Sequence, residues 1–339
     1  METIDIDTEA PFDPGEWIGK GRKWPLRSSE VPSGLWNYRK DRLTVPSCLS
    51  PRTICSPDMS VAAFISYTNL PAQDKVLVFN NVETYFTPQP PNVNATNLLS
   101  QPIPSQALVK RLMEHVGQAL LDGAQSVRYP PTAKVHFPIW ILQYWMEIDR
   151  ILEIQRRWRD CAAWLSQKRP YDPATEHVFE HASERLQMLS WNADTRALGT
   201  VATTSIFASL LSDDWLSDSH IDMMVAHLQK RLQLSRVDHT RIESLAFSYA
   251  LLFVSAPEEY DRPSPHYLQP IEAAVAKDKF LQLYFPAFVD EAKHWIAIKI
   301  DFYRKHIHFT TGDSLYSKVY KPQPLITKLL LRVSIFPLS

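Results

Sequence analysis

His294-Trp295-Ile296-Ala297-Ile298-Lys299-Ile300-Asp301, followed after four residues by His306-Ile307-His308-Phe309-Thr310-Thr311-Gly312-Asp313-Ser314-Leu315, reads as a β-hairpin that sets a histidine against a carboxylate. Side chains on a strand alternate between two faces. His294, Ile296, Ile298 and Ile300 therefore share one face, with Trp295, Ala297, Lys299 and Asp301 on the other. On the second strand Ile307, Phe309, Thr311 and Asp313 form one face, with His306, His308, Thr310 and Gly312 opposite. A turn centred near Tyr303 and Arg304 pairs Ile300 with Ile307, Ile298 with Phe309, Ile296 with Thr311 and His294 with Asp313. Opposed Cβ atoms lie roughly 4.5–5.5 Å apart, so the Asp313 carboxylate reaches one imidazole nitrogen and leaves the other free as a base. Asp301 falls on the wrong face for that role.

Two readings of the pair stand at this level. One is half of a nucleophilic catalytic site, which requires a cysteine or serine beside the histidine. The other is an ordinary edge pair and a turn-initiating Asp-Ser. No cysteine follows Cys161.

Composition narrows the setting. With 339 residues and 45% hydrophobic content the chain buries a substantial core, and its length suggests about two domains. A formal net charge of −1 argues against nucleic acid or a membrane surface as the main partner. Three cysteines and an acidic METIDID start without a secretory signal point to a reducing, intracellular setting, nuclear or cytoplasmic. The most apolar helical stretch, FPIWILQYWMEIDR at 137–150, carries charges in its second half and does not span a bilayer.

Texture divides the chain into three. Residues 1–104 form a proline-rich, partly disordered leader, in which TPQPPN at 87–92 lacks a backbone donor at three of its six positions and KVLVF at 75–79 makes a short strand. Residues 105–200 form a helical domain. Its helices are expected around 107–116, from Pro138 to about Gln167 and over 173–190, with Trp140, Trp145, Trp158 and Trp164 as an inter-helix packing stripe. Residues 201–339 hold the mixed α+β part.

One short motif suggests different chemistry. His177-Val178-Phe179-Glu180-His181 is an H-x-x-E-H pattern, which places two zinc-binding histidines one helical turn apart with a glutamate as base. Those histidines lie beside the apolar stripe among Glu176, Glu184 and Arg185, as on a solvated helix face, and no third ligand is evident. Cys48 and Cys55 sit in a Pro- and Ser-rich segment without a second pair to complete a tetrahedral site, and Cys161 lies within a helix. No metal and no cofactor is expected.

His294-Trp295, Ile300-Asp301 and Asp313-Ser314-Leu315 resemble the ubiquitin-like-protein-specific cysteine protease family, the Ulp/SENP type with a papain-like fold that processes and deconjugates SUMO and related modifiers. Upstream, Trp215-Leu216-Ser217-Asp218-Ser219-His220-Ile221 is similar to that family's W-L-x-D-x-x-I phrase, which opens a helix shaping the modifier-binding groove. Physical chemistry agrees with a helix start there: Ser217 or Asp218 is a good N-cap, and Ile221, Met224, Val225, Leu228 and Leu232 recur at helical spacing. The segment 280–289 fits the strand leading into the histidine strand. The resemblance spans roughly residues 205–320.

The resemblance implies an α+β, cysteine-protease-like mixed sheet flanked by helices. It also implies His294 as general base, Asp313 as its orienter, Trp295 as lining of a tunnel for a di-glycine tail, and Trp215 and Asp218 as parts of the binding groove. The implied partners are SUMO-like modifiers or their conjugates. The family's nucleophile lies in a Gln-x-x-x-x-Asp-Cys-Gly phrase well beyond the aspartate, and no such phrase is present here. The expectation is therefore a cysteine-type isopeptidase fold, truncated before its nucleophile and inactive as this chain. A non-catalytic modifier-binding or degenerate protein is the first alternative, and a zinc peptidase on His177 and His181 the second.

Overall fold

The structure, a computed structural model, describes residues 13–50, 54–74, 81–93, 101–167, 176–195, 202–210, 216–235, 239–252, 273, 282–289, 294–304 and 306–309. The protein is α+β, and the chain forms two compact units, Met1–Ala193 and Asp194–Ser339.

The first unit is mainly helical, with α1 Ser33–Leu43, α2 Val61–Ile65, α3 Gln106–Leu121, α4 Ile141–Gln167 and α5 Glu176–Met188. A small antiparallel sheet joins β1 Phe86–Thr87, β2 Ser126–Arg128 and β3 His136–Pro138 in that order. Apolar residues recur every three or four positions along α3 and α4, so each helix buries one stripe: Leu108, Leu112, Val116 and Leu120 on α3, and Ile141, Trp145, Ile148 and Trp158 on α4. The other face of α4 is solvated, where Arg156 pairs with Glu153 and Asp160, each at 2.8 Å.

Residues from the proline-rich stretch belong to this same unit. Leu35, Phe64 and Tyr85 are fully buried, and the Phe64 ring stacks on Trp191 with centroids 4.1 Å apart. Gln155, buried on α4, donates through Nε2 to the carbonyls of Phe64 (2.7 Å) and Tyr67 (2.8 Å). Trp158 and Trp191 donate their indole N–H groups to the carbonyls of Trp191 and Ser56. Buried donors that reach irregular carbonyls hold loops without regular hydrogen-bonding of their own. The strand expected over residues 75–79 lies outside the described residues.

The second unit pairs β4 Asp194–Thr195 with β5 Ala202–Thr203 and continues through α6 Ile206–Leu210, α7 Asp218–Leu234, β6 Thr240–Ile242 and α8 Leu245–Leu252. β7 Gln282–Val289, β8 His294–Asp301 and β9 His306–Phe309 follow. These form a mixed four-stranded sheet in the order β6-β7-β8-β9, with β6 parallel to β7 and the other neighbours antiparallel. Leu283, Phe285 and Ala287 on β7 and Ile298 and Ile300 on β8 are buried on one face, and Phe247 of α8 meets the Phe285 ring edge-on at 5.4 Å. That helix covers the apolar face of the sheet, the minimal two-layer arrangement for a small α+β core. Among the described residues no helix is long and apolar enough to cross a membrane.

Candidate functional site

The hairpin has the register read from parity. Ile300 pairs with Ile307, Ile298 with Phe309, Lys299 with His308 and Asp301 with His306. His294 is the first residue of β8, in register with Val289 of β7. Asp313, its expected partner, lies outside the described residues, as does Thr311.

Asp301 is committed elsewhere. Its buried carboxylate accepts from the Arg304 backbone N–H at 3.0 Å and from Gln282 Nε2 at 3.4 Å, and it lies 3.6 Å from Lys299 Nζ. Burial alone would raise its pKa, but the Arg304 N–H and the Lys299 and Arg304 charges outweigh it and hold the group below its ordinary value. This aspartate fastens the turn between β8 and β9 (an Asx-type closure), so its chemistry is structural.

Trp295 joins two distant segments. Its ring opposes Phe288 across the β7–β8 pair, with centroids 4.9 Å apart, and its Nε1–H donates to the carbonyl of Leu216 at 3.0 Å. Leu216 precedes the N-cap of α7, so the residue after His294 is tied to the start of that helix across 79 positions of sequence. Trp215 lies outside the described residues. Asp218 is exposed in the first turn of α7, where a carboxylate complements the helix dipole.

The helix start is built more tightly than its capping serine suggested. The Ser217 backbone N–H donates to His220 Nδ1 at 2.9 Å, the Ser217 hydroxyl lies 2.8 Å from that nitrogen, and His220 Nε2–H donates to the Ile206 carbonyl at 2.9 Å. With Nδ1 accepting and Nε2 donating, the buried imidazole brackets α6 and α7. Ser-x-x-His has the spacing of a capping box with histidine in place of glutamate, the sequence signal by which His220 is recognisable. Further along α7, Asp222 accepts from the Leu245 backbone N–H at 3.1 Å and Gln229 Nε2 donates to the Ile242 carbonyl at 2.7 Å, so α7 also positions β6 and the start of α8.

The three thiols belong to the first unit. Cys55 and Cys161 are buried, and burial pushes both up to about 11, far from the thiolate a nucleophile requires. Cys48 is exposed. His177, Glu180 and His181 lie exposed along α5. Among the described residues no group of three His, Cys, Asp or Glu side chains converges as metal ligands do.

Comparison with family models, curated proteins and solved structures finds no match for this chain. The site consists of a histidine opening a central strand, a tryptophan beside it tied to a helix start, and a turn closed by an aspartate on the opposite face.

Proposed function

We propose that the second unit is a fold of the ubiquitin-like-protein-specific cysteine protease type, with SUMO-like modifiers or their conjugates as its substrate class. His294 serves as general base and Asp313 as its orienter. In the corresponding reaction the base takes the thiol proton, the thiolate attacks the carbonyl of the modifier's C-terminal glycine, the base passes the proton to the amine as the C–N bond breaks, and water hydrolyses the resulting thioester. The sequence encodes no thiol after Cys161, so residues 194–339 carry the recognition surface and the base half of this chemistry without the nucleophile.

The observation that carries the reading is the Trp295 to Leu216 hydrogen bond. The two phrases on which the resemblance rests, Trp-Leu-x-Asp before a helix and His-Trp opening a strand, meet in space through that bond. The hairpin register supports the reading further, because it keeps Asp301 on the face opposite Ile298 and Ile300.

The test uses the full chain and a SUMO-type modifier in two forms, unmodified and carrying a C-terminal electrophile. Calorimetry is expected to give a micromolar Kd for the unmodified form, weakened about tenfold by Trp295→Ala, with no covalent adduct and no hydrolysis of a C-terminal amide. Absence of binding at about 100 μM would remove the reading. Hydrolysis of the C-terminal amide by the chain would overturn the absence of a nucleophile.

A further inference from the structure

The first unit contains an open cleft of about 710 Å³ between α1 and α4 and the loop after α1. Its volume lies within the range of ligand sites in proteins. Trp36, Leu43 and Val45 supply apolar wall, and Trp36 is about half exposed (49%). The charges around it are unbalanced. On the α4 side Arg150 and Glu147 neutralise each other at 3.2 Å. On the α1 side Arg39 and Lys40 have no carboxylate within ion-pair distance among the described residues.

Arg39 is the informative one. Its guanidinium is packed between two indoles, 5.2 Å from the Trp24 ring centroid and 5.5 Å from that of Trp36. A planar cation on aromatic faces is oriented before any partner arrives, so little side-chain entropy is lost when its fork engages a carboxylate. It is also partly desolvated, and an anion that enters the cleft replaces the water it has lost.

We infer that this cleft is a docking groove for a short acidic peptide segment of a partner protein, with aliphatic residues on the Trp36, Leu43 and Val45 wall and Asp or Glu side chains on Arg39 and Lys40. Gln143, Thr44 and Ser50 line the same cleft with groups able to bond a peptide backbone. A single-stranded nucleic acid fits less well. Base stacking needs bare aromatic faces, whereas Arg39 occupies one face of Trp24 and one of Trp36, and Arg42 lies over Tyr38 at 5.3 Å.

Fluorescence anisotropy on the full chain tests this. The probes are a labelled peptide alternating Leu with Glu and Asp, the same peptide with Lys for every acid, and an oligothymidylate of similar length. The acidic peptide is expected to bind in the micromolar range, to lose about tenfold in affinity in Lys40→Glu and in Arg39→Gln, and to weaken as salt rises from about 0.1 to 0.5 M. Lys40 is exposed, so Lys40→Glu retains the wild-type melting profile and separates lost binding from lost folding. Equal binding of the acidic and basic peptides, no binding of the acidic peptide, or undiminished binding in Lys40→Glu overturns the proposal. Preferential binding of oligothymidylate replaces it with a nucleic-acid site.

Discussion

Replacing Asp301 with alanine removes the closure of the β8–β9 turn. The carboxylate, only 3% exposed, accepts from Arg304 N–H at 3.0 Å and from Gln282 Nε2 at 3.4 Å and faces Lys299 Nζ at 3.6 Å. A hydrogen bond to a charged acceptor is worth about 1.5–3 kcal/mol, and a partly exposed ion pair adds up to about 1 kcal/mol. The hairpin is therefore expected to lose about 2–4 kcal/mol. Because the protein has two units, a global melt would blur the effect, and amide hydrogen exchange at Ile298, Ile300 and Ile307 isolates it. At about 1.4 kcal/mol per tenfold, these amides should exchange roughly 30- to 700-fold faster in Asp301→Ala. Asp301→Asn keeps an acceptor for Arg304 and should fall between, at about 1–2 kcal/mol.

The sign of the pH effect follows from the lowered pKa. Stability from Asp301 is fully present above the ordinary aspartate value of 3.8 and is lost as pH falls through the still lower folded value. Wild-type protection should therefore hold to about pH 4 and decline below it. Exchange rates within about threefold of wild type in Asp301→Ala would refute the argument that this carboxylate fixes the turn.

Three further perturbations probe the first unit. Gln155→Ala removes the side-chain donor to the Tyr67 carbonyl and leaves the Phe64 carbonyl to the Tyr67 backbone N–H, and should cost about 1–3 kcal/mol, read as a lower urea midpoint. Gly117→Ala places a Cβ 2.8 Å from a Trp24 ring carbon, and the displaced indole should lower the melting temperature with a cost of about 1–3 kcal/mol. Burial raises the Asp149 pKa in spite of hydrogen bonds from Gln73 and Gln106, so the folded state holds this proton more tightly than the unfolded one and stability falls as pH rises from 3.8 through the folded value. Asp149→Asn should remove that decline, visible as urea midpoints that vary less between about pH 4 and 7.

Local periodicity carries much of the fold into view. The alternation of Ile296, Ile298 and Ile300 against Ile307 and Phe309 is enough to set the hairpin register, because a slip of one residue would turn every isoleucine to solvent. The three- and four-residue spacing of apolar positions likewise marks α4, α5 and α7 to within a few residues, and the start of α3, which runs five residues beyond its expected end. What periodicity does not carry is contact between distant segments. Nothing around Phe64 or Tyr67 announces that Gln155 will bond their carbonyls from 91 and 88 residues away, so the proline-rich stretch reads as a separate leader although it shares a unit with the helices. β6 is three residues long and parallel to a strand some forty residues later, too short to show a period. At the site, His294 and Trp295 are legible from strand parity, while the bond from Trp295 to a backbone carbonyl has no sequence signature, since any residue presents one.

Burial of two of the three thiols also makes this chain chemically addressable at one position. Cys55 and Cys161 are sheltered and held as neutral thiols, whereas Cys48 is open to solvent between Val45 and Ser50, both on the wall of the α1–α4 cleft. A maleimide dye therefore attaches beside that cleft without any engineered cysteine, and its emission becomes a direct optical gauge of what enters.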